Sequence, residues 1–147
     1  MLTDQICTPQ RRLSLWKEFK EELVHTNHNE QLKKVATFFS RTPIGSRSLD
    51  YYTPDDWSTP WEILYNSLYC RNSISLLIYY TLVTMPYYKD ATQLWLIDDG
   101  EDRYLLPVVN DRYILNYELG SVSTLEDITD LITVVTKFNN NEVKQYT

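Results

Sequence analysis

The stretch from Asn72 to Met85 constrains this chain more than any other, because Ile74, Leu76, Leu77, Ile78, Leu82 and Val83 cover nearly the whole circumference of a helix. A helix that is apolar all round cannot lie on a surface. It predicts a central buried helix, ended by Pro86, with the chain before and after it folded against its sides. The run is interrupted by Ser75, Thr81 and Thr84 and falls short of the roughly 20 apolar residues of a membrane span, so no membrane is expected.

Upstream, Thr59-Pro60-Trp61-Glu62 is a helix-start signal: a threonine cap, proline at the first helical position, and a glutamate able to bond back to the cap. A short helix is predicted from Pro60 to about Asn66. Leu13, Trp16, Leu23 and Val24 among charged residues predict a first helix over Pro9–Val24. Leu32, Val35, Ala36 and Phe39 predict a second, so residues 1–40 read as a helical hairpin with His25 and His28 in its turn. Residues 41–58 carry turn chemistry together with Tyr51, Tyr52 and Trp57, a loop pinned by aromatics.

Downstream the period changes. Gln93–Ile97, Arg103–Val109 and Arg112–Glu118, separated by Asp98-Asp99-Gly100-Glu101 and Asn110-Asp111, predict a three-stranded antiparallel meander. Ser123-Thr124-Leu125-Glu126 predicts a C-terminal helix with Leu125, Ile128, Ile132 and Val135 on its inner face, and the Asn-rich tail 139–147 reads as loose. The expected fold is α+β in a single domain spanning 1–147, with its α+β core at 59–138.

The net charge of -6 argues against direct binding to nucleic acid or anionic lipid, which needs clustered Lys and Arg. Cys7 and Cys70 are far apart and no secretory leader is visible, so reduced thiols in a cytoplasm are expected. Cys7, His25, His28 and Cys70 lack the close cysteine pair of a zinc site, and Asp98–Asp102 lacks the ligand spacing of a calcium loop. No metal and no cofactor are predicted. Only 3 glycines but 12 tyrosines favour a contact surface, since tyrosine suits half-buried positions.

Chemistry centres on Cys70, placed where a helix begins. Backbone N–H groups at a helix N-terminus favour a thiolate. The block Thr59–Cys70, followed by a buried helix and then strands, resembles the core of the transglutaminase-like, papain-related superfamily. On that resemblance Cys70 takes the nucleophile's place, the histidine falls near Thr92 or Gln93, and the acid near Asn110 or Asp111. No histidine occurs after residue 28, and the family's Gly-Asp before the cysteine is Leu68-Tyr69 here. Without an imidazole, acyl transfer lacks its general base and acid. The implied site is degenerate, with no catalytic residue expected and Cys70 as nucleophile should the chain be active.

The segment from Asp50 to Leu82 also resembles small uncharacterised proteins of large tailed bacteriophages. That resemblance implies a non-catalytic phage structural or assembly protein. Its partners would be other phage proteins or subunits, in the host cytoplasm during infection or in the virion. Tyr51, Tyr52, Trp57 and Trp61 are the expected contact residues. Two alternatives stand beside it: a Cys70-dependent peptidase, amidase or acyltransferase using a histidine from the N-terminal hairpin or another subunit, and a small acidic inhibitor of a host protein.

Overall fold

The computed structural model describes residues 8–40, 42 and 50–144. Among the described residues five α-helices precede the sheet, the first four being α1 (Pro9–Val24), α2 (His28–Phe39), α3 (Pro60–Asn66) and α4 (Arg71–Val83). Each begins where a cap is available. Thr8 Oγ1 accepts the Arg11 N–H, Asn27 caps α2, and Thr59 and Glu62 form both bonds of a capping box on α3. Helix α4 is the central buried helix, with Ile74, Leu76, Leu77 and Leu82 fully enclosed.

The hairpin of α1 and α2 is held by stacked Phe19 and Phe38 rings, 4.0 Å between centroids. It docks on α4 through Trp16, whose indole N–H donates to Thr81 Oγ1 at 2.9 Å. Arg12 donates to the carbonyls of Leu64 and Tyr65 at 2.7 and 2.8 Å, satisfying the C-terminal end of α3. After α4, the one-turn helix α5 (Pro86–Lys89) leads into β1 (Thr92–Asp98), β2 (Arg103–Val109), β3 (Tyr113–Leu115) and β4 (Val122–Thr124).

The α+β class and the meander β1–β2–β3 are present, within a larger sheet. That sheet has five strands in the order β4-β3-β2-β1-β5, every neighbouring pair antiparallel. Its helix-facing side contributes Leu94, Leu96, Leu105, Val109 and Leu115 to the core around α4. The other side buries Trp95, Ile97, Tyr104, Leu106, Val108 and Ile114 under Ile128.

The predicted C-terminal helix is corrected in length. Helix α6 starts at Leu125 but spans only Leu125–Ile128, without a side-chain cap, and β5 (Thr133–Phe138) follows it and pairs with β1. Ile132 and Val135 therefore belong to strand and connection. A β-branched run gains more from a sheet edge, where each residue finds backbone partners, than from an exposed helix. The tail is also tied down as far as Lys144. Val143 is buried, Tyr80 Oη donates to the Lys144 carbonyl at 3.0 Å, and Asn140 bonds Tyr79 Oη and the Lys89 carbonyl.

Pro107 lies inside β2, which the meander tolerates for a specific reason. Strand β3 pairs only with Val108 and Val109, leaving the first part of β2 without a strand on that side. The amide of Leu105 instead donates to Asn72 Oδ1 at 2.9 Å, and its carbonyl accepts from Ser75 Oγ at 2.7 Å. Leu105 and Pro107 share an orientation in the pleat, so the missing N–H of Pro107 points to the side β3 does not reach.

Candidate functional site

Cys70 is the N-cap of α4. Its Sγ accepts the Ser73 N–H at 3.3 Å, and Ser73 Oγ accepts the Cys70 N–H at 2.7 Å and donates to the Leu68 carbonyl at 2.6 Å. The result is a capping box with sulfur where an oxygen usually stands. Approach to it is set by α3, whose last turn closes on Ser67 in the left-handed region at φ 54°. That reversal sends Leu68 and Tyr69 back to the mouth of α4.

Cys70 is 7% exposed and lines a cleft of about 380 Å³. Asp50, Asp56 and Glu62 bring carboxylates to the same cleft, Ser73 a hydroxyl, and Trp57, Ile63 and Leu68 apolar surface. Two of those carboxylates already hold backbone: Asp50 Oδ1 accepts from the Tyr52 amide at 2.9 Å and Glu62 Oε1 from the Thr59 amide at 3.0 Å.

The positions the family pattern assigned to histidine and acid are not beside Cys70. Thr92 pairs with Val109, and the Asn110 amide donates to the Ala91 carbonyl at 2.8 Å, so Thr92, Gln93, Asn110 and Asp111 gather at one end of the sheet. The first turns of α4 meet the sheet at Leu105, four residues from Val109 and so about 13 Å away. Level with Leu105 stand Arg103 and Tyr104 on β2 and Leu96 and Ile97 on β1, none of them an imidazole.

Both histidines of the chain are at the far end of α4 as well. The His28 ring packs against Tyr87 and Tyr88 of α5, at 4.5 and 5.9 Å between centroids, and His25 caps the C-terminus of α1. Helix α4 has 13 residues, so about 20 Å separates Cys70 from the α5 end. The expected route of a hairpin histidine to Cys70 is therefore closed within one chain. Thiol and imidazoles do not converge on a common point either. Cys7 lies outside the described residues.

The aromatic contact residues divide. Tyr52 is 57% exposed, its hydroxyl accepting from Arg103 at 2.7 Å, and Trp61 is 43% exposed, edge-on to Trp16. Tyr51 is half-buried against the core and 4.7 Å from Tyr52. Trp57 corrects the expectation of a contact surface at that position. It is 6% exposed, donates to the Asp50 carbonyl at 2.7 Å and packs edge-on against Phe138 of β5. It pins the loop. Tyr65 and Tyr87 are exposed rings that sequence reasoning passed over. The spacing of Tyr65 four residues after Trp61 on one short helix was the available signal.

No family model matches the sequence, and no curated protein does. Among solved structures the chain is similar to calcium-bound LapG of Legionella pneumophila, with a TM-score of 0.75 and 17% identity over 93% of this chain and 78% of that one. A second LapG structure gives 0.74 and 17% over 89% and 74%. What the two share is the fold. Among the described residues no site for such a calcium ion is assembled: no group of three or more His, Cys, Asp or Glu side chains converges as metal ligands do. In the acidic turn, Asp98 and Asp99 bond the amides of Gly100, Glu101 and Asp102, the Tyr104 hydroxyl and Arg103.

Proposed function

We propose that this chain is a non-catalytic protein-contact module built on a transglutaminase-like scaffold. The observation that carries the reading is the placement of Cys70: its sulfur caps α4, and neither histidine of the chain lies at that end of the helix. A thiol without an imidazole has no group of suitable basicity to take its proton and return it to a leaving group. What the surface offers instead is exposed rings on firm supports. Trp61 and Tyr65 stand on α3, which is capped at both ends, and Tyr52 is braced by Arg103.

The phage-like segment supports a setting in virus assembly, with other phage proteins as partners, in the host cytoplasm or the virion. Density-gradient sedimentation of purified particles tests it. A fixed copy number per particle is the expected result, and a protein confined to the soluble fraction removes the virion from the proposal.

A second reading is favoured by the fold together with the thiol-lined cleft: a Cys70-dependent acyl-transfer enzyme whose histidine comes from another chain. Alkylation separates the two. On the contact-module reading, Cys70 in the native protein reacts with iodoacetamide more slowly than after unfolding. A native thiol that outpaces the unfolded one supports the enzyme.

A further inference from the structure

Strand β5 is an edge of the sheet, and among the described residues no strand pairs with its outer side. The opposite edge, β4, is three residues long; β5 has six, Thr133-Val134-Val135-Thr136-Lys137-Phe138. A longer edge of β-branched residues without proline is a template for another strand. Val134 and Val135 are 37% and 38% exposed there.

Hydrogen-bond direction along the sheet identifies the open groups. Leu105 turns its N–H and C=O to Asn72 and Ser75, away from β1. Its partner Leu96 then turns toward β5, where it meets Thr136. In an antiparallel ladder the next residue faces the other way, so Lys137 presents its backbone to the open side.

Charge decides which strand fits. At the N-terminal end of β5 a hollow of about 360 Å³ is lined by Asp98, Asp99 and Asp130 and by Arg103; Arg103 pairs with Asp98 at 3.2 Å, and the carboxylates of Asp99 and Asp130 remain in excess. At the other end stands Lys137, its ammonium 4.4 Å over the Trp95 ring. Lys137 is four residues beyond Thr133, about 13 Å along the strand, too far to neutralise its own chain's acidic end. A second copy running antiparallel about a two-fold axis at mid-strand brings each lysine end to the other's carboxylates, twice by symmetry. A parallel copy would set lysine beside lysine. We propose that the β5 edge is a homodimer interface, in which β5 of one copy pairs antiparallel with β5 of a second and joins two five-stranded sheets into one. The inference does not rest on the reading of the Cys70 cleft.

Analytical ultracentrifugation of the full chain, from low to several hundred micromolar, tests it. A reversible monomer–dimer equilibrium is expected. Lys137→Pro deletes an outward N–H and leaves the β1 pairing intact, so it weakens the dimer by at least about tenfold. Lys137→Asp does the same through like charge, and adding Asp130→Lys to that variant restores association. Should Lys137→Pro unfold, as circular dichroism would show, the charge-reversal pair decides. A chain that stays monomeric throughout overturns the proposal. So does a dimer whose affinity is indifferent to the Lys137→Asp change.

Discussion

Asn72 Oδ1 accepts the backbone N–H of Leu105 at 2.9 Å, so a helix side chain occupies the place a neighbouring strand would fill. The adjoining Ser75 hydroxyl donates to the Leu105 carbonyl and accepts from Asn116 Nδ2 at 2.8 Å. These polar side chains on an otherwise apolar helix lock α4 in rotation and height against β2.

Replacing Asn72 with leucine leaves the Leu105 amide buried without its acceptor, a loss of about 1–3 kcal/mol. Urea denaturation should show the midpoint lowered with an unchanged slope. A variant as stable as the parent would mean the amide finds another partner.

Cys70 gives a more diagnostic pair. Serine is a better helix cap than cysteine and fits the same box, so Cys70→Ser should be at least as stable as the parent. Cys70→Ala removes the cap and should cost about 0.5–2 kcal/mol. Thermal melts of the two variants check the order, and a Cys70→Ser protein that loses its biological function while keeping its melt would favour chemistry at sulfur.

Trp57 and Tyr52 sit five residues apart and should behave as opposites. Trp57→Ala empties a core position between the loop and Phe138, at about 3–5 kcal/mol. Tyr52→Ala should stay within roughly 0.5 kcal/mol and, on the proposed function, weaken partner binding. Chemical denaturation and a pull-down of assembly partners measure the two effects.

Burial of Tyr104 pushes its hydroxyl up to about 12, with the hydrogen bond to Asp99 adding in the same direction and the facing Arg71 opposing both. An unfolded tyrosine ionises near about 10. Between those values the folded chain holds a proton the unfolded chain has lost, so the stability this group contributes is complete below pH 10 and falls as pH rises through 12. Burial also raises Tyr88. Tyrosinate absorbance during an alkaline titration should show Tyr104→Phe removing one late-titrating group.

The helical part was legible because its signals are local. Prolines at first helical turns, the Thr59–Glu62 box and the apolar periodicity each act within one or two turns, and α1 and α3 begin and end where those residues require. The stretch 125–138 was not. Leu125, Ile128, Ile132 and Val135 suit a helical face, yet Val134, Val135 and Thr136 also suit a strand. What decides is Leu96, some forty residues earlier in the chain, offering its backbone to Thr136.

The candidate site divides along the same line. Sequence alone placed Cys70 at the mouth of a buried helix, since the cap and the apolar run are written side by side. It also excluded a histidine downstream, which is a matter of composition. Tertiary structure decided that Thr92, Gln93, Asn110 and Asp111 lie at the wrong end of the sheet, that His25 and His28 lie beyond the far end of α4, and that Trp57 faces inward while Trp61 faces out. Those outcomes depend on strand register and helix docking, set by contacts such as Leu105 with Asn72 and Trp16 with Thr81. Side chains tens of residues apart specify them jointly, and no local pattern records the pairing.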